Sequence, residues 1–508
     1  MLPPTPSAPA NARLLYSAVA ILLVLAYFVL FFRLGSAPVQ LWDEARLAVN
    51  AAEMLARHQW LVTYFDGAVD RWNTKPPLMI GLQALSIAGL GYSQLAVRLP
   101  AALAALGTVL MVGSFGYRQL GHWFTGWLAA LVLLTTGGFV GYHVARTGDY
   151  DALLVCWVTL GTLAFFRYLT TQRAALCLLA AGAFALAVLT KGIAGVLDWP
   201  ALVLFGLLTG RLRWLLARRE FYAGIGLFAV VVGGYYGARE LADPGYLAAV
   251  AHNELSGRAL QALEGHGQSW DYYTNNLITK NFTPWLSLAI IGLLLARRQP
   301  RHAAERQFCE LAALVVGWHL LVVTLVKTKL AWYDASSYPL LALLAGVGGQ
   351  KVYEVVQRHY FSAKPGLGWG ALVVGLLLVW PPYQALSEQL AARHDQRFAD
   401  AHLQFGRYLA FQAERRSDLT QYTVLETEGY NASLEWYRQA WQATKGHVIT
   451  CRYAADTVGL RANEPVVVCN TLLRRRLLQQ YAAQVILQQD SCATLLLGAP
   501  PAVAARPQ

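Results

Sequence analysis

The feature that most constrains this chain is a series of long apolar stretches spread over its first 384 residues. A helix needs roughly 20 consecutive apolar residues to cross a bilayer. Only 14% of the 508 residues are charged, against about a quarter in a typical soluble protein. The chain is therefore predicted to be a polytopic α-helical membrane protein. Candidate spans lie near 14–32, 97–117, 122–141, 152–169, 174–190, 193–209, 221–239, 284–296, 308–326, 335–350 and 367–384.

Loop charges predict how these spans are oriented. The stretch 76–91 is apolar but short, and it begins with two prolines. If it does not cross, the basic loops all fall on the side of Arg13, as the positive-inside rule requires. We therefore expect 76–91 to be a juxtamembrane or half-inserted helix, with eleven to thirteen spans in total. The net charge of +12 then reflects topology, and it does not indicate nucleic-acid binding.

The last part of the chain, residues 385–508, has a different composition, with frequent charges and short apolar runs. The runs 422–425, 465–468, 484–487 and 494–497 are typical of strands, and 432–440 and 471–481 are typical of helices. We predict a small α/β domain on the outer side, separate from a transmembrane catalytic domain at 1–384. Three of its residues are cysteines, so one disulfide can form, but the sequence leaves its pairing open.

Most residues that can carry chemistry fall in the outer loops. Each also has a purely structural interpretation, because acidic residues are favoured at helix N-termini and lysines are common at membrane interfaces. Together they put several cations and several acids on one membrane face, as an anionic lipid-linked substrate would need. The candidates are Asp43, Glu44, Arg46, Lys75, Asp149, Asp151, Lys191, Arg258, Lys329 and Tyr333.

In these residues the chain resembles the GT-C superfamily of integral-membrane glycosyltransferases. Within it, the chain is similar to the branch that contains the lipid A aminoarabinose transferase and bacterial relatives of the protein O-mannosyltransferases. The resemblance covers about residues 14–350. It rests on the acidic pair Asp43-Glu44, the segment Lys75-Pro76-Pro77-Leu78, the loop from Arg146 to Asp151, Lys191-Gly192, and the stretch from Lys329 to Pro339.

The resemblance implies a polyprenyl-phosphate sugar donor and a lipid, glycan or protein acceptor at the outer face of the cytoplasmic membrane. Asp43 is then the general base, with Glu44 and Asp151 as acidic support. The donor phosphate is expected to bind Arg46, Lys75, Arg258 and Lys329. Asp149, Lys191 and Tyr333 are further site candidates.

One departure concerns metal binding. Where the aminoarabinose transferase has a glutamate that contributes to a metal site, this chain has Thr74. No metal ligand is therefore assigned from the sequence, and a divalent ion stays an open alternative. Two other functions are also open. A transporter or flippase for a lipid-linked sugar would use the same cations without a base. An outer-face scaffold would leave the loop motifs unexplained.

Overall fold

The protein is described here by a computed structural model, which covers residues 12–257, 265–300, 303–360, 368–399, 403–427, 429–453 and 460–499. The longer α-helices are α1 (Ala12–Leu30), α2 (Asp43–Arg57), α3 (Leu78–Leu90), α4 (Gln94–Gln119), α5 (Trp123–Leu134), α6 (Asp151–Thr171), α7 (Ala174–Lys191), α8 (Trp199–Leu208), α9 (Arg219–Ala242), α10 (Leu286–Ala296), α11 (Ala304–Leu325), α12 (Tyr338–Tyr360), α13 (Gly368–Ala399), α14 (Gln404–Arg415), α15 (Ala432–Lys445) and α16 (Thr471–Gln480).

Short helical turns occur in the connections between these helices. They span Gly137–Val140, Gly192–Val196, Leu212–Leu216, Tyr246–Val250, Ala251–Gly257, Tyr272–Asn276, Leu277–Asn281 and Ala335–Ser337. The strands are β1 (Tyr64–Phe65), β2 (Ala68–Val69), β3 (Gln421–Glu426), β4 (Val448–Tyr453), β5 (Pro465–Val468), β6 (Gln484–Gln489) and β7 (Cys492–Leu496).

The chain is a multi-pass membrane protein, as predicted. Among the described residues, seven helices are long and apolar enough to cross a bilayer, and an eighth span is formed if a pair bent by 106° counts as one. This is fewer than the eleven to thirteen expected. Helices α5 and α8 have 12 and 10 residues, so they rise roughly 15–18 Å, about half of the hydrocarbon core. Hydropathy alone cannot separate such helices from spans.

Helix α3 shows why the stretch 76–91 was ambiguous. It has only 13 residues, about 20 Å of helix, and is too short to cross the hydrocarbon core upright. It begins directly after Pro77. This agrees with the expectation of a short helix that does not span the membrane.

The helical core is closely packed around α5, whose twelve residues are all buried. A helix that is apolar on every face is stable only inside a protein or a bilayer. Small residues let its neighbours approach closely, as is common in membrane bundles. At the crossing of α4 and α5, a Cβ atom on Gly126 would collide with the carbonyl of Gly113.

The C-terminal part forms a five-stranded mixed sheet in the order β4-β3-β5-β7-β6. Strand β3 pairs in parallel with β4 and β5, while β7 pairs antiparallel with β5 and β6. The predicted small α/β domain is thus confirmed, and β4 is a strand that the sequence analysis missed. Cys469 and Cys492 form a disulfide. The boundary at residue 385 stays a prediction, because α13 continues through it.

Candidate active site

A cavity of about 280 Å³ brings together six of the predicted site residues. Its polar end contains Asp43, Lys75, Asp149, Asp151, Lys191 and Tyr333. Apolar lining comes from the membrane helix α6, from the end of α11 and the residue after it, and from the segment that follows α7, through Leu154, Val322, Val326, Ile193 and Leu197. The cavity can therefore hold a molecule that is polar at one end and apolar along its length.

Lys191 and Asp151 form one ion pair at the polar end. The Lys191 Nζ lies 2.6 Å from Asp151 Oδ1, and the lysine lies over the ring of Tyr333 at 5.5 Å. Asp151 is the first residue of α6 and Lys191 the last of α7. An acid at a helix N-terminus and a base at a C-terminus both interact favourably with the helix dipoles. Gly192 then takes a positive φ of 57°, which suits a residue without a Cβ.

Lys75 forms a second ion pair, with Glu254. The Lys75 Nζ lies 3.4 Å from Glu254 Oε1, which also accepts a hydrogen bond from Thr74 Oγ1. The two prolines after Lys75 fix the backbone where α3 begins, so the lysine is presented to the cavity. Glu254 lines the same cavity. No sequence motif assigns a role to Glu254, because its position opposite Lys75 depends on a contact between residues 179 positions apart.

Asp43, Asp149 and His143 form a third group. One ligand atom from each lies within 4.8 Å of the others. The His143 ring stacks on Trp332 with 3.5 Å between ring centroids. Burial alone would lower the pKa of His143, but the carboxylate of Asp149, with Asp43 and Asp151, outweighs burial and raises it. His143 could not be identified from the sequence, because a lone histidine six residues before Asp149 matches no motif.

Glu44 does not line the cavity, but it holds together the segment around Asp43. It makes a fully buried ion pair with Arg98 and accepts hydrogen bonds from the backbone N–H groups of Gln40 and Gly148. Burial would raise the pKa of Glu44, but Arg98 and the two backbone donors lower it overall. Glu44 thereby fixes both Asp43, its neighbour, and the loop that carries Asp149.

Arg46 is not brought into the cavity. Its guanidinium forms a two-pronged pair with Asp70, at 2.9 Å and 2.7 Å. It lies between the rings of Phe65 and Trp72, at 4.3 Å and 4.5 Å from their centroids. Burial would raise the pKa of Asp70, but the bonds and charge of Arg46 lower it. In this arrangement Arg46 is part of the loop structure, and its phosphate-binding role stays a prediction.

Lys329 and Arg258, the two other predicted phosphate ligands, differ in status. The Lys329 Nζ donates to the carbonyl of Gln268 at 3.3 Å, and the residue does not line the cavity. Arg258 lies outside the described residues.

The C-terminal domain packs directly on the segment around the start of α2. The backbone N–H of Val39 donates to the Tyr437 hydroxyl, and Ser433 Oγ donates to the Val39 carbonyl. Tyr430 stacks on Trp42 at 5.5 Å between centroids, and its hydroxyl accepts a bond from Arg46. The domain is therefore in contact with the segment that carries Asp43, which composition alone could not predict.

His319 lines the cavity and connects membrane helix α11 to two other segments that line or adjoin it. Its two ring nitrogens contact Asp198 Oδ1 and the carbonyl of Tyr333, both at 2.8 Å. This buried link between α11, the start of α8 and the loop of Tyr333 fixes the residue that lies over Lys191. No sequence motif indicates a role for His319, because a single histidine within an apolar run is usually a hydrogen-bonded residue of the core.

Comparison with known proteins agrees with this arrangement. A family model described as dolichyl-phosphate-mannose-protein mannosyltransferase matches residues 74–235. The fold is similar to that of ArnT from Cupriavidus metallidurans bound to undecaprenyl phosphate, with a TM-score of 0.71 at 17% identity over 98% of this chain and 100% of that one. The resemblance to the GT-C superfamily is confirmed.

The chain is similar in sequence to two transferases. It is 27% identical to the undecaprenyl phosphate-alpha-4-amino-4-deoxy-L-arabinose arabinosyl transferase 2 of Sodalis glossinidius over 60% of this chain. It is also 27% identical to the enzyme of the same type from Edwardsiella ictaluri over 70% of this chain. The chain spans 55% and 64% of the lengths of these relatives. The matches therefore agree with the resemblance predicted from the sequence motifs.

Proposed function

We propose that this protein is a membrane glycosyltransferase that moves a sugar from a polyprenyl-phosphate donor to a lipid, glycan or protein acceptor. The observation that carries the proposal is the cavity, in which an apolar wall from the membrane helices leads to Lys75, Lys191 and Asp43. A polyprenyl chain fits the apolar wall, and its phosphate fits the polar end. The similar transferases named above are described as acting on an undecaprenyl-phosphate sugar, and this supports the same donor class.

In the proposed reaction, Asp43 removes the proton from the acceptor hydroxyl. The acceptor oxygen then bonds to the anomeric carbon with inversion, the bond from that carbon to the phosphate oxygen breaks, and polyprenyl phosphate leaves with the electron pair. Negative charge grows on the leaving phosphate. Lys75 and Arg258 stabilise this charge. They lower the reaction barrier most when they are positioned before the reaction begins, because preorganised cations need no rearrangement. Asp151 and Lys191 orient each other at the rim.

We further propose that the catalytic domain is residues 1–384, that the site and residues 385–508 face the outer side, and that the membrane is the cytoplasmic (inner) membrane. Two features support this orientation. In the span order predicted from the sequence, the basic loops collect on the opposite side. The disulfide between Cys469 and Cys492 is typical of an oxidising compartment such as the bacterial periplasm.

The test uses the purified full-length protein in proteoliposomes, with a radiolabelled undecaprenyl-phosphate sugar and a cell-envelope extract as acceptor. For Asp43→Asn we expect transfer to fall by about 10²–10⁴-fold, the usual contribution of a general base, while undecaprenyl phosphate still binds. Near-wild-type transfer by this variant would remove Asp43 from the base role. Label that crosses the bilayer without reaching any acceptor would instead indicate a flippase.

Lys75→Ala tests the phosphate site separately. Loss of one charge-assisted contact is expected to weaken binding of undecaprenyl phosphate by roughly 10–100-fold. Lys445→Ala is the matched control, because that lysine lies on the C-terminal domain against Trp441. Equal affinities for the two variants would contradict a phosphate-binding role for Lys75.

A further inference from the structure

We propose that a groove between helices α4, α6 and α7 binds an anionic phospholipid, whose phosphate contacts Arg118, Arg167 and Arg173. The groove has a volume of about 130 Å³. None of the described residues that line it also lines the catalytic cavity. The binding of this lipid therefore does not depend on the proposed transfer of a sugar.

The groove lies at the ends of α4 and α6 that are farthest from the catalytic cavity. Helix α6 begins at Asp151, which lines that cavity, and Arg167 follows 16 residues later, about 24 Å along the helix. Helix α4 carries Arg98, the partner of Glu44, near its start and Arg118 in its last turn. In the proposed orientation these ends face the cytoplasm, where anionic lipids give the membrane surface a negative potential.

The lining of the groove is divided in the same way as a phospholipid. Arg118, Gln119 and Arg167 provide polar groups near the helix ends. The apolar lining lies farther from those ends on all three helices, through Met111, Phe115, Leu160, Leu163, Leu176 and Leu179. A phosphate at the helix ends would therefore place its acyl chain along the apolar wall. The groove is small, so it would hold the first part of the chain and leave the rest in the bilayer.

The guanidinium groups of the groove lack a compensating charge. Arg118 and Arg173 are both close enough to repel Arg167, and no carboxylate in the described part of the chain offsets this repulsion. The Nε atom of Arg167 is buried and has no hydrogen-bond partner among the residues that the structure describes. Buried polar atoms of this kind are uncommon in folded proteins. A phosphate would supply both the missing acceptor and the missing negative charge.

Neighbouring arginines at these helix ends contact the protein itself. Arg211 donates to the Leu169 carbonyl at 3.0 Å, and Arg218 lies over the ring of Trp214 at 4.6 Å. The positive-inside rule explains why arginines occur on this side of the membrane, and helix dipoles favour them at helix C-termini. Neither effect requires three guanidinium groups to converge on one groove between helices. Basic pockets between membrane helices on the cytoplasmic side are typical binding sites for anionic headgroups.

The experiment titrates the purified full-length protein in detergent with dioleoyl-phosphatidylglycerol and measures bound lipid by native mass spectrometry. Dioleoyl-phosphatidylethanolamine, which has the same chains and a phosphate but no net charge, is the reference lipid. The wild type is expected to bind the anionic lipid about tenfold more tightly or better, since hydrogen bonds to charged groups are the stronger ones. Arg167→Gln should weaken this binding by roughly 10–100-fold.

A second variant covers the case in which Arg167→Gln does not fold. Arg118 is exposed, and Arg118→Gln should weaken binding by about fivefold, the contribution of one basic residue near an anionic lipid. The matched control is Arg213→Gln, which removes the same charge from an exposed position in the connection between α8 and α9. This control should bind the anionic lipid like the wild type.

Arg167→Lys separates a built phosphate site from general attraction to positive charge. Lysine keeps the charge but loses the planar fork that matches a phosphate, so binding should still weaken by about tenfold. Equal affinity of the wild type for the two lipids, unchanged binding by Arg167→Lys, or equal losses in Arg213→Gln and the folded groove variants would overturn the proposal. Displacement of the bound phosphatidylglycerol by equimolar undecaprenyl phosphate would also overturn it, because the groove would then belong to polyprenyl phosphates.

Discussion

The buried pair of Glu44 and Arg98 gives the sharpest stability prediction. Each side chain is 1% exposed. Glu44 accepts two bonds from Arg98, at 2.6 Å and 2.9 Å, and one each from the backbone of Gln40 and Gly148, at 2.8 Å and 2.9 Å. The change Glu44→Gln removes the charge and turns an amide N–H₂ group toward existing donors. Breaking one side of a buried pair costs about 3–5 kcal/mol, and we expect a loss in that range.

The assay is denaturant unfolding of the purified protein in detergent micelles, followed by circular dichroism. The control is Glu310→Gln, which breaks a partly exposed pair with Arg306 and is expected to cost less than about 1 kcal/mol. A loss for Glu44→Gln as small as that of the control would refute the reasoning. It would mean that the carbonyl groups of Leu34, Ala37 and Pro38, which also accept from Arg98, hold the loop without Glu44.

The pH dependence of the same variant provides a second check. The folded state lowers the pKa of Glu44, so its stabilising contribution is present above the pKa of the unfolded chain. It is lost as the pH falls through the lower folded value. The difference between wild type and Glu44→Gln should therefore shrink on acidification. A difference that grows in acid would contradict the assigned direction.

Three further predictions concern single groups. Asp334 is buried, and burial raises its pKa to about 6 although Tyr338 and Asn281 bond to it. The wild type should therefore lose up to about 3 kcal/mol relative to Asp334→Asn as the pH rises from 4 to 7, which melting temperatures at each pH would detect. Cys469→Ser opens a disulfide with a sequence separation of 23 and should cost the C-terminal domain about 3 kcal/mol, measured by unfolding with and without reductant. Tyr430→Ala removes the stacking on Trp42 and the bond from Arg46 and should cost roughly 1–3 kcal/mol, whereas Tyr430→Phe should lose only the hydrogen-bond part.

The fold could be predicted where local pattern decides the structure. Long apolar runs identified the membrane region, and alternation with turn residues identified four of the five strands of the C-terminal sheet. The number of spans was overestimated because helix length depends on where a helix ends. Residues 122–141 form one apolar run, but α5 ends at Leu134, and the chain then turns through Thr135 and Thr136, whose hydroxyls bond back to α5 carbonyls. Hydropathy does not register such an ending.

The site was predictable in part, for a different reason. Asp43, Asp151 and Lys191 begin or end helices, and they could be grouped because their positions follow from the predicted order of the spans. Contacts between distant loops were not predictable. Lys75 pairs with Glu254, and Arg46 pairs with Asp70, because the fold brings their loops together. The sequence shows which residues are charged but not which of them are in contact.

The pairing of charged side chains in the structure affects how an anionic donor can bind. Every described cation that the sequence suggested for the phosphate is already engaged: Lys75 with Glu254, Arg46 with Asp70, and Lys329 with a backbone carbonyl. The charges counted along the sequence predict a cationic pocket. When the charged groups are paired as they lie in the structure, the residues that line the cavity include more carboxylates than ammonium groups. A phosphate must then displace a carboxylate from a lysine or be accompanied by added positive charge.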